Sequence, residues 1–366
     1  MNTIEKALMH ALFVHLHHNI DRVIDFEAIN ELNLEVSRLF SGALLVGPGD
    51  DAAVFKIPGT EGLLVAKMES HCSPNVPRPY DATATLVSGA LRDVVAMGGR
   101  PMFLLNFIGT RPLEQKVLVG PCGFDEKCTC GECKEMTSKE RVDLMMNGLR
   151  DMCRAMDVFI VGGGFSTSFS DIVPAAVGAV IGKLVVQVPL TKPAKAVGDN
   201  IILIGQTGND GNDSLFRAGV VNQMRPALAL FEEERRTMES TLAAFQTGKV
   251  KACSDLGAAG IGAGVCESAK YGGFGAVVDL SSVSVKVDGI TPEEILICET
   301  QGRMLVQVAG EDISEVLEAI RSKGTKADVI GAITRDDKQV FTYKGKTVAI
   351  IPNKLSEAVL KELKEE

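Results

Sequence analysis

Four acidic or glycine-rich clusters in this chain follow apolar runs that read as strands, where ligand sites of α/β folds concentrate. The first is Gly47-Pro48-Gly49-Asp50-Asp51. Two adjacent carboxylates in a glycine turn can hold Mg²⁺ against phosphate oxygens, because that hard cation prefers oxygen ligands. The alternative is a turn held by its own side-chain hydrogen bonds. The second is Lys67-Met68-Glu69-Ser70-His71, followed by Arg92-Asp93. A strand-end lysine can pair with a nucleotide phosphate, Glu69 and Asp93 can ligate a metal, and His71 can transfer a proton near neutral pH. Against this, Arg92 and Asp93 can equally form a surface charge pair, with His71 capping a turn. The third cluster, Gly205-Gln206-Thr207-Gly208-Asn209-Asp210-Gly211, can cradle phosphates through backbone N–H groups, although it lacks the Lys-Ser/Thr of a P-loop. The fourth pairs Ser254-Asp255-Leu256-Gly257-Ala258-Ala259-Gly260 with Glu299-Thr300-Gln301-Gly302-Arg303. Its competitor is a glycine-rich helix start packed closely against a strand.

Cysteines supply a separate chemistry. Cys122, Cys128, Cys130 and Cys133 share one polar loop with Gly123 and Gly131, and four thiolates can close a tetrahedral shell around Zn²⁺. An iron–sulfur cluster, redox regulation, a sulfur carrier or an unliganded insertion are the alternatives. Cys153, Cys253, Cys266 and Cys298 lie in apolar stretches and are expected to be buried. Cys72, beside His71, is a candidate nucleophile.

The elements that must position these groups alternate between strand and helix. Strands are expected at Leu44–Val46, Ala52–Phe55, Gly62–Met68, Met102–Ile108 and Val158–Val161, with a turn at Gly162-Gly163-Gly164 and a core strand within 172–187. Helices are expected from Asp81 to Met97, stopping on Gly98-Gly99, and from about Lys139 to Met156. A link from Pro189 to Asp199 leads to a second alternating region that opens with the strand Asn200–Ile204. The N-terminal stretch reads as an amphipathic helix, and Leu360 to Glu366 as a solvated helix end. This is an α/β (α+β) pattern in two domains, 1–188 with a cysteine-rich insertion at 120–138, and 189–366.

Bulk properties exclude some classes. The net charge of −9, without a basic footprint, disfavours nucleic acid as a partner. No long uncharged run is present to span a bilayer, and the N-terminus lacks the features of a signal peptide, so a cytoplasmic protein is expected. Nine cysteines in that compartment are expected as thiols or metal ligands.

Taken jointly, the clusters resemble the superfamily of aminoimidazole ribonucleotide synthetase and formylglycinamidine ribonucleotide synthase. Lys67-Met68-Glu69-Ser70-His71-x-x-Pro74 with Pro79-Tyr80, then Leu91-Arg92-Asp93-Val94-Val95-Ala96-Met97-Gly98 with Arg100-Pro101, follows the first half of the synthase large subunit in order and spacing. Ser254-Asp255-x-Gly257-Ala258-Ala259-Gly260, Leu280-Ser281-Ser282-Val283, Thr291-Pro292-x-Glu294-Ile295 and Glu299-x-Gln301-x-Arg303-Met304 resemble its C-terminal subdomain. The resemblance implies an N-terminal domain that pairs into a dimeric strand barrel, a C-terminal α/β domain, and an ATP site at their junction. It implies that ATP phosphorylates a substrate amide oxygen and that ammonia displaces the phosphate. Residue by residue, it implies Lys67 on ATP; the glycine-rich clusters themselves add Asp50, Asp51, Gly208 and Asp210 as expected nucleotide contacts. Glu69, Asp93 and Asp255 would hold Mg²⁺, and His71 would be the acid/base. The phosphorylated substrate would lie on His71, Cys72, Ser73, Pro74, Arg92, Glu299, Thr300 and Gln301.

The chain departs from the pattern at several points. It has one unit where the large subunit has two, which implies a homodimer, and no glutaminase domain is attached, which implies an ammonia- or sulfur-donating partner. The family's N-terminal Ser-Glu-His-Cys-Ser-Tyr-Lys segment is not found, and His15, His17 and His18 are its candidate replacements. Cys72 and Ser73 replace Asn and His, and Gly163-Gly164-Phe165 replaces Gly-Gly-Glu. A relative acting in another pathway (selenophosphate, thiamine phosphate or hydrogenase maturation) and a non-catalytic nucleotide-binding scaffold are the alternative functions.

Overall fold

The computed structural model describes residues 3–5, 31–36, 42–120, 132–170 and 172–354. Most of the expected N-terminal helix with its histidines, Cys122, Cys128 and Cys130, and the charged tail lie outside the described residues.

The first half contains β1 (Leu44–Val46), β2 (Ala53–Phe55), β3 (Leu64–Ser70), α1 (Pro79–Ala96), β4 (Gly99–Gly109), β5 (Lys116–Val119), β6 (Lys134–Thr137), α2 (Ser138–Ala155), β7 (Phe159–Ser166) and β8 (Ala175–Leu184). Six strands form one sheet in the order β1-β2-β3-β8-β4-β7, and β5 and β6 make a separate hairpin. α1 is buried almost all round, as a run of small and apolar residues without a polar stripe dictates. It lies against β3 and β8 on one side and meets α2 and the second half on others. Pro79 opens it and Gly98, at φ 83°, follows its end. α2 starts at a reciprocal cap between Thr137 and Glu140.

One expectation changes here. Gly162–Gly164, expected to turn, continues β7 as a parallel partner of β4, with Leu105 opposite Gly162 and Phe107 opposite Gly164. A Cβ on Gly163 would stand 2.4 Å from the Asn106 carbonyl oxygen, so the glycines permit a close strand approach.

The second half contains β9 (Asn200–Ile204), α3 (Asp213–Arg217), α4 (Phe231–Gln246), β10 (Val250–Asp255), α5 (Gly260–Gly272), β11 (Gly275–Asp279), α6 (Pro292–Ile297), β12 (Met304–Val308), α7 (Ile313–Arg321), β13 (Ala327–Thr334), β14 (Lys338–Tyr343) and β15 (Lys346–Pro352). Its seven-stranded sheet runs β10-β12-β9-β13-β11-β14-β15. β9 is buried on both faces, which explains its unbroken apolar run. Ile201 and Leu203 feed a core with α5 and α6, whereas Ile202 and Ile204 feed another with α4 and α7. That second core is continuous with Leu91, Val94, Leu104 and Val180 of the first half. The two halves therefore share apolar packing, and the polar site lies where that packing opens.

Candidate functional site

Period-two alternation along β3 sends Lys67, Glu69 and the following His71 to one side, toward α1, while Met68 is 68% exposed on the other. The turn before β2 brings Asp50 and Asp51, α1 brings Arg92 and Asp93, and the end of β10 brings Asp255. All of them line one cleft of ≈ 360 Å³ together with Glu299 and Gln301.

At its centre, one carboxylate oxygen from each of Asp51, Asp93 and Asp255 lies within 4.8 Å of the others. Lys67 Nζ sits 2.8 Å from Asp93 Oδ2 and donates to the Asp51 carbonyl at 2.9 Å. Burial raises all three carboxyls above their ordinary value, and neighbouring carboxylates add to it: Asp255 on Asp51 and Asp93, and Glu69 on Asp93 and Asp255. Lys192 and Lys67 pull Asp51 back, Lys67 pulls Asp93, and Arg92 pulls Asp255. An all-oxygen donor set at this spacing fits a hard divalent cation such as Mg²⁺. Asp51, expected to hold Mg²⁺ against nucleotide phosphate, forms the third corner. Glu69 stands beside the trio, its carboxylate against Gly89 of α1, where a Cβ would lie 3.1 Å from Glu69 Oε2.

His71 is oriented by its surroundings. Its Nδ1 is 3.1 Å from the Ala82 carbonyl, which can only accept, so Nδ1 carries the hydrogen and Nε2 is free to exchange a proton. Nε2 is 3.8 Å from Glu69 Oε1. Asn75, fully buried, donates to the His71 carbonyl and accepts from Thr83 Oγ1 at 2.7 Å, fixing the turn after β3.

Arg92 is not a surface residue: it is 1% exposed and crosses between the two halves. Its Nη1 donates to Glu234 Oε1 at 2.5 Å and Gln301 Oε1 at 3.0 Å, and its Nε is 3.7 Å from Asp255 Oδ2. Consecutive helix positions differ by about 100°, so Asp93 meets Lys67 while Arg92 meets Glu234.

Residues 49–184 match the family described as AIR synthase related protein, N-terminal domain, and residues 196–344 match AIR synthase related protein, C-terminal domain. The chain belongs to the AIR synthase related family. Among curated relatives, the phosphoribosylformylglycinamidine synthase subunit PurL of Methanopyrus kandleri is 34% identical over 84% of this chain and 41% of its own length. That of Prochlorococcus marinus is 31% identical over 84% of this chain and 38% of its own. The chain therefore spans about two fifths of these relatives. A solved structure of T. maritima PurL complexed with FGAR superposes with a TM-score of 0.67 at 25% identity, over 86% of this chain and 47% of that one. The HypE-HypF complex shares the fold over 87% of this chain and 98% of that one, with a TM-score of 0.59 at 16% identity.

Within this AIR synthase related fold, several expected residues fall outside the cleft. Gly208 and Asp210 do not line it: the Gly208 N–H donates to Thr300 Oγ1 at 3.0 Å, and Thr300 Oγ1 donates to Asp210 Oδ1 at 2.8 Å. That loop is tied to 299–301 through Thr300, and its Thr207 and Gly211 N–H groups donate to the Ser284 and Arg225 carbonyls. Thr300 is fully buried behind the wall, and Ser73 is not among the lining residues. Cys72 is not among the lining residues either, and its sulfur lies 3.9 Å from the Ala176 carbonyl. Pro74 does line the cleft. Cys153, Cys253, Cys266 and Cys298 are buried as expected, and burial raises all four thiols. Sequence reasoning missed Asn75 and Asp213, which border quoted clusters, and Lys192, Glu234 and Glu267, which lie in none.

Burial pushes the Glu299 carboxyl up from 4.5 to about 7, while the Ala259 N–H donating to Oε1 at 3.2 Å opposes the rise. A carboxyl with a folded value above its unfolded one holds its proton more tightly when folded. Its stabilisation is present at acid pH and lost as pH rises from 4.5 to about 7. Denaturant midpoints in chelator should fall across that window, and Glu299→Gln should flatten part of the slope. An unchanged slope in the variant would show that Glu299 titrates normally.

Proposed function

We propose that the chain is an ATP-dependent C–N ligase of the formylglycinamidine ribonucleotide synthase type. It transfers phosphate from ATP to an amide oxygen of a phosphorylated small molecule, and ammonia then displaces that phosphate to give an amidine. The observation that carries this is the convergence of Asp51, Asp93 and Asp255 from three separate segments beside Lys67, with His71 on the same wall. The names of the PurL relatives support it, as does the T. maritima PurL structure with FGAR. Bound to the three aspartates, with Glu69 alongside, Mg²⁺ would neutralise phosphate charge and polarise the transferring group. Lys67 holds and orients phosphate oxygens. His71 Nε2 moves the proton that the ammonia nitrogen must lose. Arg92, through Gln301 and Asp255, positions the substrate wall formed by Glu299 and Gln301.

The test is ATP turnover with Mg²⁺ and ammonia, with and without formylglycinamide ribonucleotide. Amidine formed only with the ribonucleotide supports the ligase. ATP bound but unaffected by the ribonucleotide removes the purine assignment and leaves another amide or a scaffold role.

A homodimer belongs to the same proposal. β7 is an edge strand, and Phe159, Ile160, Val161 and Phe165 on it are 67%, 44%, 55% and 52% exposed. An apolar edge of this kind invites strand pairing, and a second copy would close the two sheets into a barrel. Val161→Asp should convert a dimer to monomer by light scattering; an unchanged mass would place the partner elsewhere.

The expected Zn²⁺ site is also a proposal. Val119 pairs with Lys134 across the β5–β6 hairpin, so Cys133 stands at the base of the cysteine-rich loop. Elemental analysis should find one Zn per chain, lost in Cys133→Ser; a metal-free wild type would reject it. We place the domain boundary at 188/189, between the two sheets and the two family matches. No helix among the described residues is long and apolar enough to cross a membrane, and work in the cytoplasm with an ammonia-delivering partner completes the proposal.

A further inference from the structure

Lys192 stands on the segment between β8 and β9 that joins the two sheets. Its backbone N–H donates to Asp50 Oδ1 at 3.1 Å, and its carbonyl accepts from Ser268 Oγ of α5 at 2.5 Å. The ammonium lies 3.2 Å from Asp51 Oδ1 and 3.3 Å from Glu267 Oε2, above the Tyr271 ring at 5.6 Å from its centre. The side chain is only 12% exposed, yet it lines the cleft. Backbone contacts to both halves therefore fix the place from which this ammonium reaches the cleft.

Asp51 is also a corner of the three-aspartate group, so Lys192 and a divalent cation compete for the same carboxylate. A divalent cation adds two positive charges to this carboxylate group, which favours an arriving phosphate. An ammonium has three N–H donors. Once the metal takes Asp51, Glu267 can keep Lys192 at the wall while its remaining donors face the cleft.

We propose that Lys192 is a phosphate-binding residue held in reserve, which Asp51 retains until a divalent cation takes that carboxylate and which then pairs with nucleotide phosphate oxygens. This rests on the nucleotide function proposed above. Lys192 thus opposes binding of the metal alone and favours binding of metal and nucleotide together.

The experiment is calorimetric titration of the full chain with Mg²⁺ alone and with Mg²⁺ plus the non-hydrolysable analogue AMPPCP. Lys192→Met should weaken analogue binding by about tenfold or more, the scale of one charge-assisted hydrogen bond. It should bind Mg²⁺ alone at least as tightly as wild type. Lys192→Gln, which keeps a donor toward Asp51, provides a second charge-removing variant and should show the same split. Analogue binding within twofold of wild type would overturn the proposal, as would equal weakening of Mg²⁺ and analogue, the sign of a structural strut. A wild type that binds no analogue would overturn the nucleotide function itself, whereas wild-type binding with an indifferent Lys192→Met would remove only the role of Lys192.

Discussion

Asp93→Asn should lower Mg²⁺-dependent ATP turnover by about 10²- to 10³-fold, the scale on which preorganised charge stabilises a transition state. The variant keeps the shape and one acceptor oxygen but removes one of three carboxylate charges at the centre of the cleft. Metal affinity falls, and Lys67 loses the partner at 2.8 Å that holds its ammonium in place. The metal-free fold should not suffer in proportion. Burial and the neighbouring Asp255 and Glu69 already push the Asp93 carboxyl well above the ordinary range, so its charged form is disfavoured without a cation. The expected pair of results is lost turnover with a denaturant midpoint equal to or above that of the wild type in chelator. Turnover near wild type would remove Asp93 from the metal site. Unfolding of the variant would instead make it a structural ion-pair partner of Lys67.

Arg92→Met should destabilise the chain by about 3–5 kcal/mol, the usual cost of leaving one member of a buried ion pair behind. Glu234 is fully buried, and its Oε1 accepts from Arg92 Nη1 and from the Gly302 N–H at 3.1 Å. With the guanidinium gone, that carboxylate keeps one backbone donor and no counter-charge. Arg92→Lys should rescue little, because a single ammonium cannot reproduce contacts to Glu234, Gln301 and Asp255 from one planar fork. The double variant Arg92→Met/Glu234→Gln should recover much of the stability by removing the stranded charge. If Arg92 also orients the substrate wall through Gln301, the recovered protein should remain slow. A single variant that unfolds at the wild-type denaturant concentration would show that the halves do not depend on this pair.

Much of the site was legible because its residues sit in short local patterns. Lys67, Glu69 and His71 share a face through the strand period alone, and Asp50-Asp51 declare themselves by a glycine turn. The long buried α1 followed equally from an apolar stretch ending on glycine. By contrast, the sequence allowed Arg92 and Asp93 to be a surface pair. Their burial depends on α1 being enclosed by a sheet, by α2 and by the second half at once. Gly208 and Asp210 show the opposite case, since they lie off the cleft. A glycine-rich loop advertises free N–H groups, but Thr300, some 90 positions away, accepts from the Gly208 N–H and donates to the Asp210 carboxylate.

What the sequence determined by itself was most elements of the first half, the alternating two-part pattern, the family and the carboxylates on which the proposed metal site rests, because each is encoded within a few residues or one motif. What only the tertiary structure decided was which carboxylates meet. Asp51 rather than Glu69 completes the trio, Lys192 reaches it from the linker, and Glu234 answers Arg92 from a helix 142 positions away. The physical reason is that a charge buried at a junction is stabilised by whatever long-range packing brings to it, and no local spacing records that partner.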